Sequence, residues 1–474
     1  MKTAIRIAAL FAAISVQAAT IDQVIVRQQW PWSETVKVEY VLSDAADPVN
    51  ISVEATADGT AVDASKLRAA IVGETYGVVG NGAHTLEIDP AIALGASKVN
   101  VRRFQVRLTA SAAPANLTQE LYRIFDLNDG SCESVSRADI MNRPDKYGAY
   151  ETDFSKIGDG FTTTLDSSEI FIWTGVTNNP IYKTDKLVMR RIYAKDKVWR
   201  GSVGKSDTSK ETYDQYWVKL TNDYLIAVFE TTQAQWTKIY GTNYSHFADA
   251  ADAAYRPAEN VAQTEVIGGI TAGETIHGKW KDYRTYLGNE IYNFPTNGYL
   301  HDVSKNTFML NLWNKTKYEF YLPTEAQWEY ACRAGTTNSY NHGKPGNILA
   351  VSALVAWTQY NSGGETHAVG TKPCNAFGLY DMHGNVMEMT AASGSIASNR
   401  DGHGESENDP IVEPLGARNT FSCIKRGGAY SEISGSPYWW TSSTWRTSGY
   451  SYLQFREDMG FRVVCPVNRQ WEAH

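Results

Sequence analysis

The stretch from Asn375 to Glu388 restricts the fold of this chain most, because it excludes a long regular element. Apolar residues and glycines alternate too closely for a helix, and Gly378 and Gly384 permit backbone conformations with positive φ. Its end allows two interpretations. Either backbone carbonyls and the Glu388 carboxylate form an oxygen cage for a hard cation such as calcium, or Glu388 is an ordinary acid at a buried turn. Residue types alone favour the second.

The first 19 residues have the pattern of a signal peptide. Lys2 and Arg6 precede an apolar run from Ile7 to Val16, and small residues around Ala18 predict a cleavage site. The run is too short to span a bilayer, and no later stretch predicts a membrane span. We therefore expect an exported protein, periplasmic or secreted. Loss of Lys2 and Arg6 takes the net charge from −8 to −10, which argues against nucleic acid or an anionic membrane as partner.

A length of 474 residues predicts more than one domain. Residues 20–112 contain runs with period-two alternation separated by Asp-, Gly- and Pro-rich breaks, which predict a small all-β sandwich of the immunoglobulin or fibronectin kind. Residues 113–184 are weakly patterned and are interpreted as a connecting segment. Residues 185–468 differ in sequence pattern and form the third region. No cluster of acids, histidines or cysteines marks the first region, so we expect it to be structural.

Two helix starts carry capping signals in the third region. Thr232 precedes a short helical pattern over Gln233–Ile239, and Thr324 with Gln327 three residues later forms a capping box ahead of the clearest helix, which Gly335 ends. Most of the chain after this helix predicts loops. So long a loop-rich domain needs other stabilisers, such as buried aromatic residues, disulfides or bound ions.

The sequence contains five cysteines, Cys132, Cys332, Cys374, Cys423 and Cys465. An odd number leaves at least one thiol unpaired within the chain. Cys423 and Cys465 lie just outside two strand candidates, Ile424–Arg426 and Phe461–Val464, so a disulfide between them is one hypothesis. No Cys-x-x-Cys pattern occurs, and a thiolate zinc site is therefore not supported.

Seven motifs of this region resemble, in order, those of the formylglycine-generating enzyme (sulfatase-modifying factor) family. They are Phe229–Trp236, Arg256–Val261, Leu322–Gly335, Val369–Pro373, Asn375–Glu388, Lys425–Gly428 and Gly460–Val464. The resemblance covers residues from about 186 to 466. It implies an α+β fold, a loop-rich variant of the C-type-lectin-like fold. Members include oxygen-dependent enzymes that convert a sulfatase cysteine to formylglycine, sulfoxide synthases, and relatives with a variable ligand-binding surface.

The catalytic cysteines that the resemblance implies are missing. In the family a cysteine pair between the Arg-Gly-Gly and Gly-Phe-Arg motifs binds copper(I), an ion that soft thiolates suit. The corresponding interval here, from Ala429 to Met459, contains no cysteine. We therefore expect no copper and a catalytically degenerate protein that binds a ligand. The alternative is an oxygen-dependent oxidoreductase that converts a sulfatase cysteine to formylglycine.

The resemblance also implies two structural calcium sites. One corresponds to the carbonyls of His383, Gly384 and Val386 with the Glu388 carboxylate. The other corresponds to Asn347, Ile348, Asn361 and Gly363, where Asn361 stands in place of the usual Asp and lowers the charge. Both are expectations of calcium as a structural cofactor.

The cysteine-free interval is rich in aromatic residues interleaved with Ser and Thr, a composition typical of adaptable binding surfaces. We predict that it binds an unknown peptide, protein or glycan through Tyr430, Tyr438, Trp439, Trp440, Tyr450 and Tyr452. The alternative is that these side chains are the core of a loop-rich fold. Trp445 and one of Trp439 or Trp440 are expected in that core.

Overall fold

A computed structural model describes residues 19–28, 33–95, 101–201, 216–267, 307–341, 348–393, 405–412, 423–431, 438–447 and 455–467. The chain divides into two compact units. One comprises residues up to Gln119 together with Ser136–Tyr147, and the other comprises Glu120–Val135 and the chain from Gly148. Among the described residues no helix is long and apolar enough to cross a membrane.

The first unit contains two sheets that contribute to one hydrophobic core. Its strands are β1 Thr20–Gln28, β2 Val36–Ser43, β3 Val49–Ala57, β4 Thr60–Ala61, β5 Ile71–Gly73, β6 Gly82–Ile88 and β7 Phe104–Ala112. They form one sheet in the order β1-β2-β6-β5 and another in the order β4-β3-β7. The alternation predicted for β2 is observed, because Val38, Tyr40 and Leu42 are buried while the residues between them are half-buried. The sandwich assignment itself stays a prediction.

Four short helices complete the first unit: Ala64–Ala70, Pro90–Leu94, Arg137–Asn142 and Pro144–Tyr147. Asp63 and Asp89 cap the first two by accepting backbone N–H groups. Helix Arg137–Asn142 has a capping box between Ser136 and Asp139. Asn142 accepts the backbone N–H groups of Thr75 and Tyr76 within the same unit.

Residues 113–184, predicted to be a connecting segment, are divided between the two units. Strand β8, Glu120–Asp126, pairs antiparallel with β10, Lys186–Ile192, with Asp126 opposite Lys186. The segment therefore does not stand between two domains: residues 120–135 and 148–184 belong to the second unit, whereas Ser136–Tyr147 belongs to the first. The sequence does not reveal this exchange, because it depends on pairing across about 60 residues of chain.

The second unit contains three sheets. Besides β8 and β10, its strands are β9 Cys132–Ser136, β11 Val198–Gly201, β12 Tyr216–Lys219, β13 Tyr224–Ala227, β14 Met387–Ser393, β15 Ile411–Val412, β16 Cys423–Arg426, β17 Met459–Gly460 and β18 Val464–Pro466. The largest sheet has the order β18-β13-β10-β8-β9, and the two smaller sheets have the orders β11-β12-β15 and β16-β14-β17. The strand predicted at Phe461–Val464 is thus split, since β17 and β18 lie on either side of residues 461–463.

Helices of the second unit are short. The α-helices are Ile181–Thr184, Gln233–Tyr240, Gln263–Val266, Phe308–Thr316, Glu325–Arg333 and Ile348–Val355, and the 3₁₀ turns are Phe154–Lys156, Thr174–Thr177, Ala253–Tyr255 and Tyr438–Thr441. The predicted caps are confirmed, because Thr232 with Gln235 and Thr324 with Gln327 form capping boxes. The structure is mixed α/β, rich in sheet and poor in helix.

An aromatic core joins these elements. Trp236 is fully buried and stacks on Phe308 with ring centroids 5.3 Å apart, while Phe461 meets both rings edge-on. Helices Gln233–Tyr240 and Phe308–Thr316 and the Gly-Phe-Arg motif therefore contribute to one cluster.

Candidate functional site

The stretch Asn375–Glu388 is a buried anchor in the second unit. The Asn375 amide donates to the carbonyls of Ala331 and Cys332 at 2.7 and 3.1 Å, which satisfies the end of helix Glu325–Arg333. Gly384 has φ +77°, and a Cβ there would lie 2.2 Å from the Trp357 carbonyl oxygen. Only glycine fits this approach. The two predicted glycine turns are thus present, with φ +75° at Gly378.

Glu388 is neutralised by an arginine from the chain itself. The guanidinium of Arg462 donates from Nε to Oε2 at 2.7 Å and from Nη2 to Oε1 at 2.6 Å, and Trp328 Nε1 donates to Oε2 at 2.7 Å. Arg462 also reaches the carbonyls of Ala227 and Tyr380 at 3.1 and 2.9 Å. Both ionic side chains are buried.

This geometry does not fit the calcium ligand predicted at Glu388. Both carboxylate oxygens face N–H donors, and a divalent cation bound there would sit against a guanidinium. The other ligands predicted there, the backbone carbonyls of His383, Gly384 and Val386, stay a prediction.

The second predicted calcium site does not fit either. The Asn361 oxygen accepts the Thr358 N–H at 2.7 Å, and its amide nitrogen donates to the carbonyls of Ala353 and Ala356 at 3.1 and 2.9 Å. The side chain therefore meets the end of helix Ile348–Val355 through its donor, whereas a calcium ligand would present its oxygen. Gly363 has φ +71°. Asn347 lies outside the described residues.

Two more buried acids lie near Arg462. Glu230 accepts the Asn385 amide at 2.7 Å, and Asp381 accepts the Gly370 N–H at 2.7 Å. Burial raises the pKa of Glu230 well above its usual range, and the neighbouring Asp381 and Glu388 add to the effect. Burial also raises the pKa of Asp381, to about 6. Arg462 thus faces a group of three carboxylates, with Lys183 also near Asp381, and this crowding of acids favours protonation of Glu230.

The Arg-Gly-Gly motif has the same structural role. Arg426 is buried and pairs with Glu329 and, at 3.5 Å, with Glu325 of helix Glu325–Arg333. Arg446 donates to both oxygens of Glu325, at 2.7 and 2.9 Å. These contacts give Arg426, Arg462 and Glu325 structural roles.

Cys332 lies beside a buried histidine. Its Sγ is 3.7 Å from His383 Nε2, and His383 Nδ1 donates to the Thr441 carbonyl at 2.7 Å. Burial lowers the pKa of His383 to about 4 and raises the pKa of the Cys332 thiol to about 12. Both groups are therefore neutral at physiological pH, and this pair is not an activated nucleophile. Burial raises the pKa of Cys374 to about 12 as well.

The hypothesis of a Cys423–Cys465 disulfide is wrong. Cys465 is a free, buried thiol in β18 whose Sγ lies 3.4 Å from the Pro466 carbonyl oxygen. Cys132, Cys332 and Cys374 are also free.

A cleft of about 480 Å³ opens between both ends of the cysteine-free interval; we call it the aromatic cleft. The interval contributes Tyr430 and Ser431 at its beginning and Glu457 near its end. Segments His246–Phe247 and Gln359–Tyr360 complete the lining with Gly364. Tyr430 is buried and meets Phe247 edge-on at 5.3 Å, so it forms part of the base of the cleft.

The other predicted binding residues have different outcomes. Trp440 is half-buried, stacks on Trp445 at 5.6 Å and packs against the small cluster of Met387, Ala429 and Trp445. It therefore belongs to the core, as does Trp445, in agreement with that part of the prediction. Tyr450 and Tyr452, and the side chains of Tyr438 and Trp439, lie outside the described part of the chain.

Glu259 holds the segment His246–Phe247 from beneath. Its buried carboxylate accepts the backbone N–H groups of His246 and Phe247 at 2.8 and 3.1 Å. Burial raises its pKa to about 7 against the opposing effect of these two hydrogen bonds. The His246 ring faces Glu457, with Nδ1 to Oε2 at 3.3 Å.

Sequence reasoning missed most of this lining. His246, Gln359, Tyr360 and Glu457 belong to segments about 100 residues apart, which only the fold brings together. One signal was present: Glu259 is an acid inside the apolar motif Arg256–Val261, and a buried acid there requires hydrogen-bond donors.

Comparison with known proteins identifies the second unit. A family model described as "Sulfatase-modifying factor enzyme 1-like domain" matches residues 201–467. The formylglycine-generating enzyme of Mycobacterium tuberculosis is 37% identical over 117 residues, which are 23% of this chain and 39% of that enzyme. The chaperone protein LppX of Paenibacillus barcinonensis is 30% identical over 203 residues, 39% of this chain and 67% of that protein. This chain therefore spans less than half of the mycobacterial enzyme.

Among solved structures, Treponema denticola variable protein 1 is 24% identical with a TM-score of 0.40, covering 59% of this chain and 95% of that one. PvdO from Pseudomonas aeruginosa is 20% identical with a TM-score of 0.37 and the same coverages. The family model spans more than half of the 474 residues. The chain therefore belongs to the formylglycine-generating enzyme (sulfatase-modifying factor) family.

Proposed function

We propose that this protein is an exported, non-catalytic member of its family that binds a peptide or glycan ligand in the aromatic cleft. The observation that carries the proposal is the position of the cleft. It lies between the two ends of the interval where the family's oxidase holds its copper-binding cysteines, and this interval contains no cysteine. A binding cavity is thus retained where the catalytic thiols are missing.

The thiols elsewhere in the second unit do not supply the lost chemistry. Cys332, Cys374 and Cys465 are buried, and burial raises the pKa of each thiol. Copper(I) binding and nucleophilic attack both require a thiolate, which this environment disfavours. Among the thiols that the structure describes, Cys132 alone is exposed. One exposed thiol does not make the two-cysteine site of the oxidase.

The relatives also favour a binding role. The match to the chaperone LppX is longer than the match to the mycobacterial formylglycine-generating enzyme, 203 residues against 117. A chaperone name describes binding of another chain without chemistry on it. We extend only this feature, ligand binding, to the present protein.

The test compares binding with catalysis in the same preparation. The full chain is incubated with a Cys-x-Pro-x-Arg peptide, copper and oxygen, and the peptide is then analysed for aldehyde. We expect none. In parallel, peptide and oligosaccharide probes are titrated against the protein and a Tyr360→Ala variant, and we expect binding that the variant loses. Aldehyde formation would establish the oxidoreductase alternative, and absence of binding to every probe would contradict the proposal.

A further inference from the structure

One exposed aromatic side chain lines the aromatic cleft, and two more lie two residues before His246 and Glu457 in segments that line it. Tyr360, in its lining, is 54% exposed, and Tyr244 and Phe455 are 54% and 55% exposed. Asn260 holds the segments of the last two together, because its N–H donates to the Arg456 carbonyl at 2.7 Å and its amide donates to the Tyr244 carbonyl at 2.8 Å. Single exposed aromatic residues are ordinary, but three around one cleft indicate a contact surface.

The backbone of Asn260 has a constrained conformation. Its φ is +57°, a conformation that Asn tolerates better than most residues. The adjoining Glu259 fixes His246–Phe247 from the other side, as described above. Glu259 and Asn260, neighbours in the motif Arg256–Val261, therefore position the lining segment His246–Phe247 and the segments that carry Tyr244 and Phe455.

The charged groups around the cleft are already paired with one another. Glu457 faces His246, and Asp458 receives two hydrogen bonds from Arg456, at 2.7 and 2.5 Å. Arg256, whose guanidinium lies 5.8 Å from the centre of the Phe247 ring, pairs with Asp252 at 2.6 Å and Glu365 at 2.7 Å. An ionic ligand that engaged Arg256 or Arg456 would have to displace one of their carboxylate partners.

A neutral ligand rich in hydroxyl groups meets no such penalty. A carboxylate has about four lone-pair positions and a guanidinium five N–H donors, so each can bind a hydroxyl while keeping its ionic partner. Aromatic faces meanwhile offer flat apolar surface to the C–H faces of a pyranose ring. A volume of about 480 Å³ lies within the roughly 300–1,000 Å³ usual for small-ligand sites.

We propose that the occupant of the aromatic cleft is an uncharged oligosaccharide. It stacks on Tyr360, Tyr244 and Phe455, and it forms hydrogen bonds with Gln359, Ser431 and the His246–Glu457 pair. This inference rests on the proposed binding function and narrows its ligand to one class. Ionic glycans and basic peptides are the competing occupants.

Isothermal titration of the full chain with defined probes tests the inference. The uncharged probes are maltohexaose, cellohexaose, xylohexaose and N-acetylated chitohexaose, and the charged probes are hexagalacturonate and a lysine-rich octapeptide. We expect at least one uncharged hexasaccharide to bind, with an affinity that changes less than about twofold between about 50 and 500 mM salt, because screening does not act on a neutral ligand. Tyr360→Ala should weaken it at least about tenfold, as loss of a stacking partner at a binding hot spot does.

Val412→Ala is the matched control, since Val412 is 55% exposed in the same unit but does not line the cleft. It should bind as the parent does, and Tyr244→Ala provides a second cleft variant should Tyr360→Ala lower the melting temperature. Binding of the peptide or hexagalacturonate without any uncharged sugar would overturn the inference but keep the proposed function. Unchanged sugar affinity in both Tyr360→Ala and Tyr244→Ala would also overturn the inference. If none of the probes binds, both the inference and the proposed function are contradicted.

Discussion

Replacing Arg462 by methionine removes a buried cation while keeping much of the side-chain volume. The guanidinium makes close hydrogen bonds to both Glu388 oxygens and to the carbonyls of Ala227 and Tyr380. Without it, Glu388 stays buried with only the Trp328 N–H as partner. Breaking a buried ion pair on one side typically costs about 3–5 kcal/mol.

This loss has a measurable size. With about 2.1 cal/mol/K of unfolding entropy per residue, a unit of about 340 residues loses about 1.4 °C of melting temperature per kcal/mol, so Arg462→Met should lower the transition of the second unit by about 4–7 °C. Lys197→Met is the control, because its ion pair with Glu169 is solvent-exposed and worth about 1 kcal/mol or less. Calorimetry on the three proteins gives the comparison.

A double variant separates the ionic effect from packing. Glu388→Gln combined with Arg462→Met removes the carboxylate closest to Arg462 together with the cation, so it should be more stable than Arg462→Met alone by about 1–3 kcal/mol. Equal losses in Arg462→Met and Lys197→Met would refute the reasoning. So would a matching fall in the parent's melting temperature on chelation, because calcium would then be the counter-ion that Glu388 requires, as the resemblance predicts.

Three further outcomes follow from single positions. Gly384→Ala should lower the free energy of unfolding by at least about 3 kcal/mol, because the new Cβ meets the Trp357 carbonyl oxygen at 2.2 Å and the backbone has φ +77°. Gly363→Ala, with φ +71° and open space around the new Cβ, should lower it by about 1–2 kcal/mol. Chemical denaturation of both variants measures the difference, and equal losses would contradict it. The folded protein raises the pKa of Glu259 from 4.5 to about 7, so it retains a proton that the unfolded chain releases. The unfolding free energy relative to Glu259→Gln should therefore fall by about 3 kcal/mol as the pH rises from 4.5 to about 7. Urea titrations at both ends of this pH range check the fall, and a constant difference would disprove it. Of the four free thiols, Cys132 alone is exposed and should alkylate first in the native state; peptide mapping after a brief iodoacetamide pulse reads the order, and early labelling of a buried thiol would count against the fold.

Local signals in the sequence predicted local structure well. The capping box at Thr324, the alternation of β2 and the glycine turns of Asn375–Glu388 each depend on residues within a few positions of one another. Their physics is complete within a short window, so a single sequence suffices to read them.

Long-range partners were the features that could not be read. The same Glu388 is compatible with a calcium ion or with Arg462, which lies 74 positions away in the chain, and composition does not distinguish the two. The aromatic cleft likewise requires His246, Tyr360 and Glu457 to meet across more than 200 residues. The resemblance indicated the interval but not the segments that face it.

The four free thiols have a consequence for how this protein is made. Since Cys132, Cys332, Cys374 and Cys465 are unpaired in the native structure, none of them has a native crosslink to acquire during folding. Beside Cys332 Sγ lies the His383 ring, which donates to the Thr441 carbonyl. Recombinant chain produced in a reducing cytosol should therefore reach the same native state as chain matured outside the cell, and its refolding should be indifferent to glutathione.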